Sequence, residues 1–227
     1  MKKTVKCTAV ISKIPQKKQR ADFIVNFLKE YYPTVQCGLD YKGDPYKLLV
    51  MARLSAQCTD KRVNLVSIDL FKEFPTLESM ANADQNRVEE LIKSCGVYKM
   101  KAKNIIEMCR LIKDEFNGEI PRDKKSLLQL PGVGSKIANL LLGDLYNIPS
   151  IVADTHCIRI SNRFGFTKKA DPKTTEESLT KLIEKNEQTD FCHRIVEFGR
   201  EFCSAASPKC DYCPLKNKAL SKGKTEE

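Results

Sequence analysis

Two residues eighteen positions apart, Lys136 and Asp154, are the strongest candidates for chemistry in this sequence. Lys136 follows Leu130-Pro131-Gly132-Val133-Gly134-Ser135, a turn that breaks one helical pattern (Lys124 to Gln129) and launches another (Ser135 to Tyr146). Glycines at 132 and 134 permit positive φ and leave their N–H groups bare. The helix after them adds unpaired N–H groups and the positive end of its dipole, a ready seat for a phosphate. A cation in that first turn faces the positive dipole end, and partial burial would further disfavour its charge. A neutral lysine amine is a nucleophile that forms Schiff bases at carbonyl-like carbons. In Val152-Ala153-Asp154-Thr155-His156 the aspartate caps the helix that starts there. N–H bonds would hold it ionised and fixed, able to activate an amine or to stabilise a cationic sugar. His156 reads as a packing or hydrogen-bonding residue.

Two further stretches stand out. Cys203-x6-Cys210-x2-Cys213 has the close spacing of a thiolate metal site, but a tetrahedral site wants four ligands and no cysteine follows Cys213. Leu54-Ser55-Ala56-Gln57-Cys58-Thr59-Asp60 is a polar turn between apolar helices, with Asp60 placed to cap the second. The surroundings are basic: 39 lysines and arginines against 29 acids give +10 and a pI near 9.1, a balance that favours a polyanion. Apolar runs fall short of the ~18 residues of a membrane span. Met1 to Pro15 is interrupted by Lys6, which argues against a signal peptide. Ten cysteines then read as reduced thiols or metal ligands, and the cytoplasm as the compartment.

The elements that must position these residues are helical nearly throughout. The spacing predicts helices over 16–32, from Asp44-Pro45, from Asp60, from Thr76 and Asp84, and over 99–117 with Gly118 as the stop. Beyond the hairpin, Asn147-Ile148-Pro149-Ser150 is a break and a lobe boundary. Helices follow from Asp154 to Phe164, over 175–186 behind a Thr174/Glu177 capping box, and over about 190–202. Lys216 to Glu227 reads as a frayed terminus. The fold class expected is all-α, in two lobes with a cleft.

In order along the chain, these stretches resemble the endonuclease III family of the helix-hairpin-helix DNA glycosylase superfamily, from about Asp44 to Cys213. The resemblance rests on Leu54 to Asp60, Gly96-Val97-Tyr98 with Lys101-Ala102, and Asn117-Gly118-Glu119-Ile120-Pro121. It continues in Leu130 to Lys136 with Ala138-Asn139, Val152 to His156, and Arg159 with Asn162-Arg163. It implies a six-helix lobe over 38–148 and a second lobe from 1–37 with 149–227. It also implies a monomeric repair enzyme of the cytoplasm, or of the nucleoid in a bacterium, that acts on damaged duplex DNA and not on membranes. Such enzymes remove damaged bases, typically oxidised pyrimidines, and many then cut the abasic strand.

By the same resemblance, Lys136 matches the nucleophile, Asp154 the catalytic aspartate, and Gln57 the residue that enters the gap left by a flipped nucleotide. Val97 falls where a wedge residue stands, often leucine. Leu130, Gly132, Val133, Gly134 and Ser135 form the strand-holding hairpin. Members with a [4Fe-4S] cluster use C-x6-C-x2-C-x5-C, and here the fourth position is Ala219, so Cys203, Cys210 and Cys213 stand without a fourth ligand. Two rivals fit the hairpin: a monofunctional mismatch glycosylase using water activated by Asp154, and a non-catalytic DNA-binding module. Lys136 argues against the first, and the presence of both Lys136 and Asp154 against the second.

Overall fold

The computed structural model describes residues 16–216 together with Ile11, Ile14 and Lys218, and every regular element among them is helical. The chain divides into two compact units, Cys37–Ile148 and Met1–Gln36 with Pro149–Glu227. Most of the expected tail, Ala219 included, lies outside the described residues.

The Met1–Gln36/Pro149–Glu227 unit begins with α1 (Lys17–Tyr31), which buries Ala21, Ile24, Phe27 and Leu28 on one stripe and stops before Pro33. In the Cys37–Ile148 unit, α2 (Pro45–Leu54) opens as the sequence predicts. Asp44 accepts the N–H groups of Tyr46 and Lys47, with proline at the first helical position. For α3 (Asp60–Glu73) the cap is Thr59, whose side chain accepts from Arg62 N–H, and not Asp60. Asp60 sits one residue inside, where its charge still suits the positive end of the dipole. Thr76 and Asp84 cap the short α4 (Leu77–Ala81) and α5 (Gln85–Ile92).

A 3-10 turn, Lys93–Cys95, leads into α6 (Tyr98–Glu115), the central helix of this unit. It packs against α2, α4 and α5. Its end is set by Asn117 at φ 52 and Gly118 at φ 77, with Gly118 N–H returning to the Ile112 carbonyl at 3.0 Å. That bond reaches back six residues, one more than in a Schellman stop, and the left-handed Asn117 turns the chain out of the helix. The hairpin helices are α7 (Lys124–Leu127) and α8 (Ser135–Tyr146), and α8 also packs on α2. Seven α-helices therefore lie between Cys37 and Ile148, against the six implied by resemblance; α7 is a single turn of four residues.

The other unit completes itself with α9 (Thr155–Arg163), α10 (Pro172–Leu182) and α11 (Gln188–Glu201). The expected Thr174/Glu177 box does not start α10. Asp171 is the cap, accepting Thr174 N–H at 2.9 Å, and Pro172 is the first helical residue. The helix also stops at Leu182, short of the expected 186. Its core is aromatic: Phe198 of α11 meets Phe27 edge-on at 6.4 Å and Phe164 at 6.2 Å. The nearly buried Arg194 holds α11 to the end of α1, donating to the Tyr32 carbonyl at 3.1 Å while it pairs with Glu187 and Asp190.

Candidate active site

The hairpin turn is built from Val133 N–H to the Leu130 carbonyl, 3.0 Å, with Pro131 and Gly132 between them. Proline followed by a residue at positive φ (Gly132, +78°) is the type II pattern. The two glycines divide their roles. Gly134 is extended, φ −99 and ψ 179, so positive φ is not what it supplies. As the cap of α8 it has no side chain to satisfy the first-turn N–H groups, which keeps that helix end open to an anion. Leu130 and Val133 are buried in the core, so whatever they offer a strand is backbone; Gly132, Gly134 and Ser135 are exposed.

Gly132 is also a close-packing position. A Cβ there would lie 2.4 Å from Arg53 Nε and 3.0 Å from Asn104 Oδ1. Arg53 donates through Nε and Nη2 to that same Asn104 oxygen, at 3.3 and 2.8 Å. The pair forms a polar floor under the turn that the motif did not reveal. Gly132→Ala is expected to lower stability by about 2–3 kcal/mol, combining left-handed strain with displacement of Arg53. Gly134→Ala, with open space at its Cβ position, is expected to change it by less than about 0.5 kcal/mol. Thermal melts of the two variants make the comparison.

Lys136 is the second residue of α8, beside the open helix end. It is exposed, so burial adds nothing to the unfavourable position of its charge at the helix end. The buried stripe of this helix is Ala138, Leu141 and Leu142, which turns the Lys136 position outward.

Gln57 and Val97 share an unusual geometry. Both are exposed, and both are left-handed, at φ 54 and φ 45. For a β-branched residue that conformation is a genuine outlier, of the kind held where function needs it. Gln57 rides a turn closed by Cys58 N–H to the Ser55 carbonyl at 3.1 Å. Val97, 62% exposed, follows Gly96 at the head of α6. Close by, burial and the neighbouring Cys58 thiol push the Cys95 thiol up to about 11, so it stays neutral at pH 7.

Asp154 caps α9, its Oδ1 accepting Cys157 N–H at 2.7 Å. Its Oδ2 takes no hydrogen bond from any described residue, so one oxygen is structural and one is open to chemistry. The strand of chain before it is pinned by Val152 N–H to Cys192 Sγ at 3.2 Å. His156 packs as expected: Arg159 donates to its Nδ1 at 3.1 Å, and a Cβ on Gly199 would strike that nitrogen at 2.5 Å.

The cysteine loop is held by arginines. Arg159 and Arg163 of α9 donate to the Cys203 carbonyl, and Arg163 also reaches the Ser204 carbonyl at 2.8 Å and the Ala205 carbonyl at 3.0 Å. Arg163 donates to Cys203 Sγ at 3.2 Å as well, while burial pushes that thiol upward. Cys213 is buried and Cys210 partly exposed. Among the described residues no three His, Cys, Asp or Glu side chains converge as metal ligands. Three cysteines are one thiolate short of the four that a four-iron cluster takes.

An open-ended helix behind a Pro-Gly turn, with two strained exposed loops in the same unit, defines a helix-hairpin-helix nucleic-acid-binding fold. The chain belongs to the HhH-GPD superfamily of base excision DNA repair proteins, whose pattern matches residues 50–185. It is similar to endonuclease III of Synechocystis sp., 44% identical over 209 residues that cover 92% of this chain and 95% of that protein. Endonuclease III of Bacillus subtilis is 36% identical over 198 residues, 87% of this chain and 90% of that one. Among solved structures, a trapped endonuclease III–DNA covalent intermediate with an estranged adenine superposes with a TM-score of 0.84. It is 36% identical, over 90% of this chain and 99% of that one.

Proposed function

We infer that this chain is a base-excision repair enzyme, a bifunctional DNA N-glycosylase and abasic-site lyase acting on oxidised pyrimidines in duplex DNA. The observation that carries the reading is Lys136 itself: an outward-facing amine beside an uncapped helix end, on a chain similar to a protein captured covalently on DNA. No described helix is long and apolar enough to cross a membrane, and the net charge of +10 suits a phosphate backbone.

In this mechanism the hairpin N–H groups hold a phosphate beside the lesion, and the damaged nucleotide leaves the stack at a cost of a few kcal/mol. Gln57 fills the vacancy and Val97 wedges the strands. Once it has given up a proton, the Lys136 amine attacks C1′; the bond from C1′ to the base nitrogen breaks, and the base departs with the electron pair and gains a proton. The C1′–O4′ bond then opens, its electrons going to O4′, which takes a proton, and the nitrogen lone pair forms the iminium. Loss of a C2′ proton drives β-elimination of the 3′ phosphate. The Asp154 carboxylate stabilises the positive charge that develops on the sugar or takes the proton from the amine.

Borohydride tests this directly, because hydride reduces the iminium to an amine and leaves enzyme and DNA joined. An adduct with abasic or thymine-glycol duplex is the expected result. Base release without an adduct would shift the reading to a monofunctional glycosylase using water, and no release across a panel of lesions to a binding module. No step passes through a metal. We expect iron and zinc assays on the purified protein to find less than a stoichiometric [4Fe-4S] complement, and its spectrum to lack the visible iron–sulfur band.

A further inference from the structure

Lys101 is only 1% exposed and heads the largest fully buried side chains among the described residues. No described carboxylate pairs with it. Its Nζ instead donates to two backbone carbonyls, Leu54 at 2.7 Å and Cys95 at 2.5 Å. A buried ammonium without a counter-ion is expensive, so its retention calls for a return.

The two carbonyls say what the return is. Leu54 is the last residue of α2, three residues before Gln57. Cys95 ends the 3-10 turn, two residues before Val97. Lys101 also grips the second loop through its own backbone, its N–H bonding the Val97 carbonyl at 3.2 Å. One side chain thus ties together the bases of two loops whose tips, Gln57 and Val97, are both exposed and both in the left-handed conformation. Among the described residues no backbone hydrogen bond joins the two loops directly. Burial works most strongly against the charged form and Arg53 adds to it, while the neighbouring Cys95 and Cys58 thiols favour it alongside the two carbonyls.

We propose that Lys101 is a positioning residue that locks the Gln57 and Val97 loops into one rigid wedge, so that both side chains enter the duplex in a single fixed geometry. The role rests on the glycosylase reading above, since it gives the wedge its purpose. Charge-assisted bonds to two carbonyls hold the loops at the spacing the strand opening needs, before DNA arrives. Lys101 touches no reacting atom.

The test separates strand opening from chemistry. Lys101→Met keeps the stem and removes the donors. Base release from a damaged duplex is compared with borohydride trapping on an abasic single strand, which needs no wedge. The ratio of duplex to single-strand rates is expected to fall about 10- to 100-fold, the size expected on losing hydrogen bonds to a charged donor. Fluorescence of 2-aminopurine opposite the lesion, which rises when that base is unstacked, is expected to drop with it. In a Gln57→Ala background the same substitution should cost little more, because the lock then has less to position. Equal losses on both substrates, or losses that add fully with Gln57→Ala, would overturn the lock.

If Lys101→Met does not fold, a Gln57→Ala/Val97→Ala cycle in the otherwise unchanged protein asks the same question. A locked wedge predicts that either substitution costs nearly as much as both, and additive losses reject it. If the unchanged protein traps on neither substrate, the lyase reading fails by itself, and the 2-aminopurine signal still decides the lock.

Discussion

Lys136→Gln is expected to abolish the borohydride adduct while leaving the fold and its melting temperature nearly unchanged. The reason for the second half lies in the helix. Lys136 is exposed at the second position of α8, away from the stripe of Ala138, Leu141 and Leu142. Glutamine has nearly the helix propensity of lysine, and exposed substitutions of this kind stay within about 0.5 kcal/mol. The reason for the first half is chemical. An adduct requires a primary amine at C1′, and an amide cannot form an iminium. Strand cleavage should vanish with it, and base release should fall by at least about 10⁴-fold, as when a nucleophile is removed from a site that acts as a unit. Gel detection of the adduct, with circular dichroism as the control, makes the measurement. Undiminished trapping would assign the nucleophile to another amine. Because the chain leaves Lys136 exposed, any stripping of water from its amine must come with the bound strand.

The local chemistry of helix ends made most of this fold legible. Asp44 before Pro45, Thr76, Asp84 and Asp154 all cap where their residue types and neighbours say they should. The misses came where two legible signals competed. At α10 the Thr174/Glu177 pattern masks Asp171-Pro172, the same Asp-Pro opening as at 44–45; the carboxylate three residues upstream reaches Thr174 N–H and wins. At α3 adjacent Thr59 and Asp60 could each cap, and the one-residue choice is settled by which side chain meets Arg62 N–H.

What stayed hidden was tertiary. The two hairpin glycines look equivalent in sequence, and only the packing of Arg53 and Asn104 under Gly132 tells them apart. Lys101 does carry a signal in the sequence: it lies on the buried stripe of α6 with Ile105, Cys109 and Ile112, where a charge has no local reason to be. The left-handed backbones of Gln57 and Val97 left none, since neither is a glycine or asparagine. The cysteine spacing showed a missing ligand but not the Arg159 and Arg163 bonds that hold that loop.

Asp154→Asn is the other substitution with a large expected effect, and it separates two jobs that one residue performs. Asp154 Oδ1 holds the first turn of α9 through Cys157 N–H at 2.7 Å. Asparagine caps about as well as aspartate, so the variant should melt close to the parent, whereas Asp154→Ala should lose about 1 kcal/mol with the cap. The carboxylate charge, by contrast, is lost in both. If it stabilises the cationic sugar as the base departs, base release from duplex DNA should fall about 10²- to 10³-fold in both variants, the scale of removing one preorganised electrostatic partner. Schiff-base formation on a preformed abasic site starts after that bond has broken, and should fall less than about tenfold. Rates on the two substrates therefore tell the roles apart. Equal losses on both would make Asp154 the base that frees the Lys136 amine, and no loss on either would leave it as a helix cap alone.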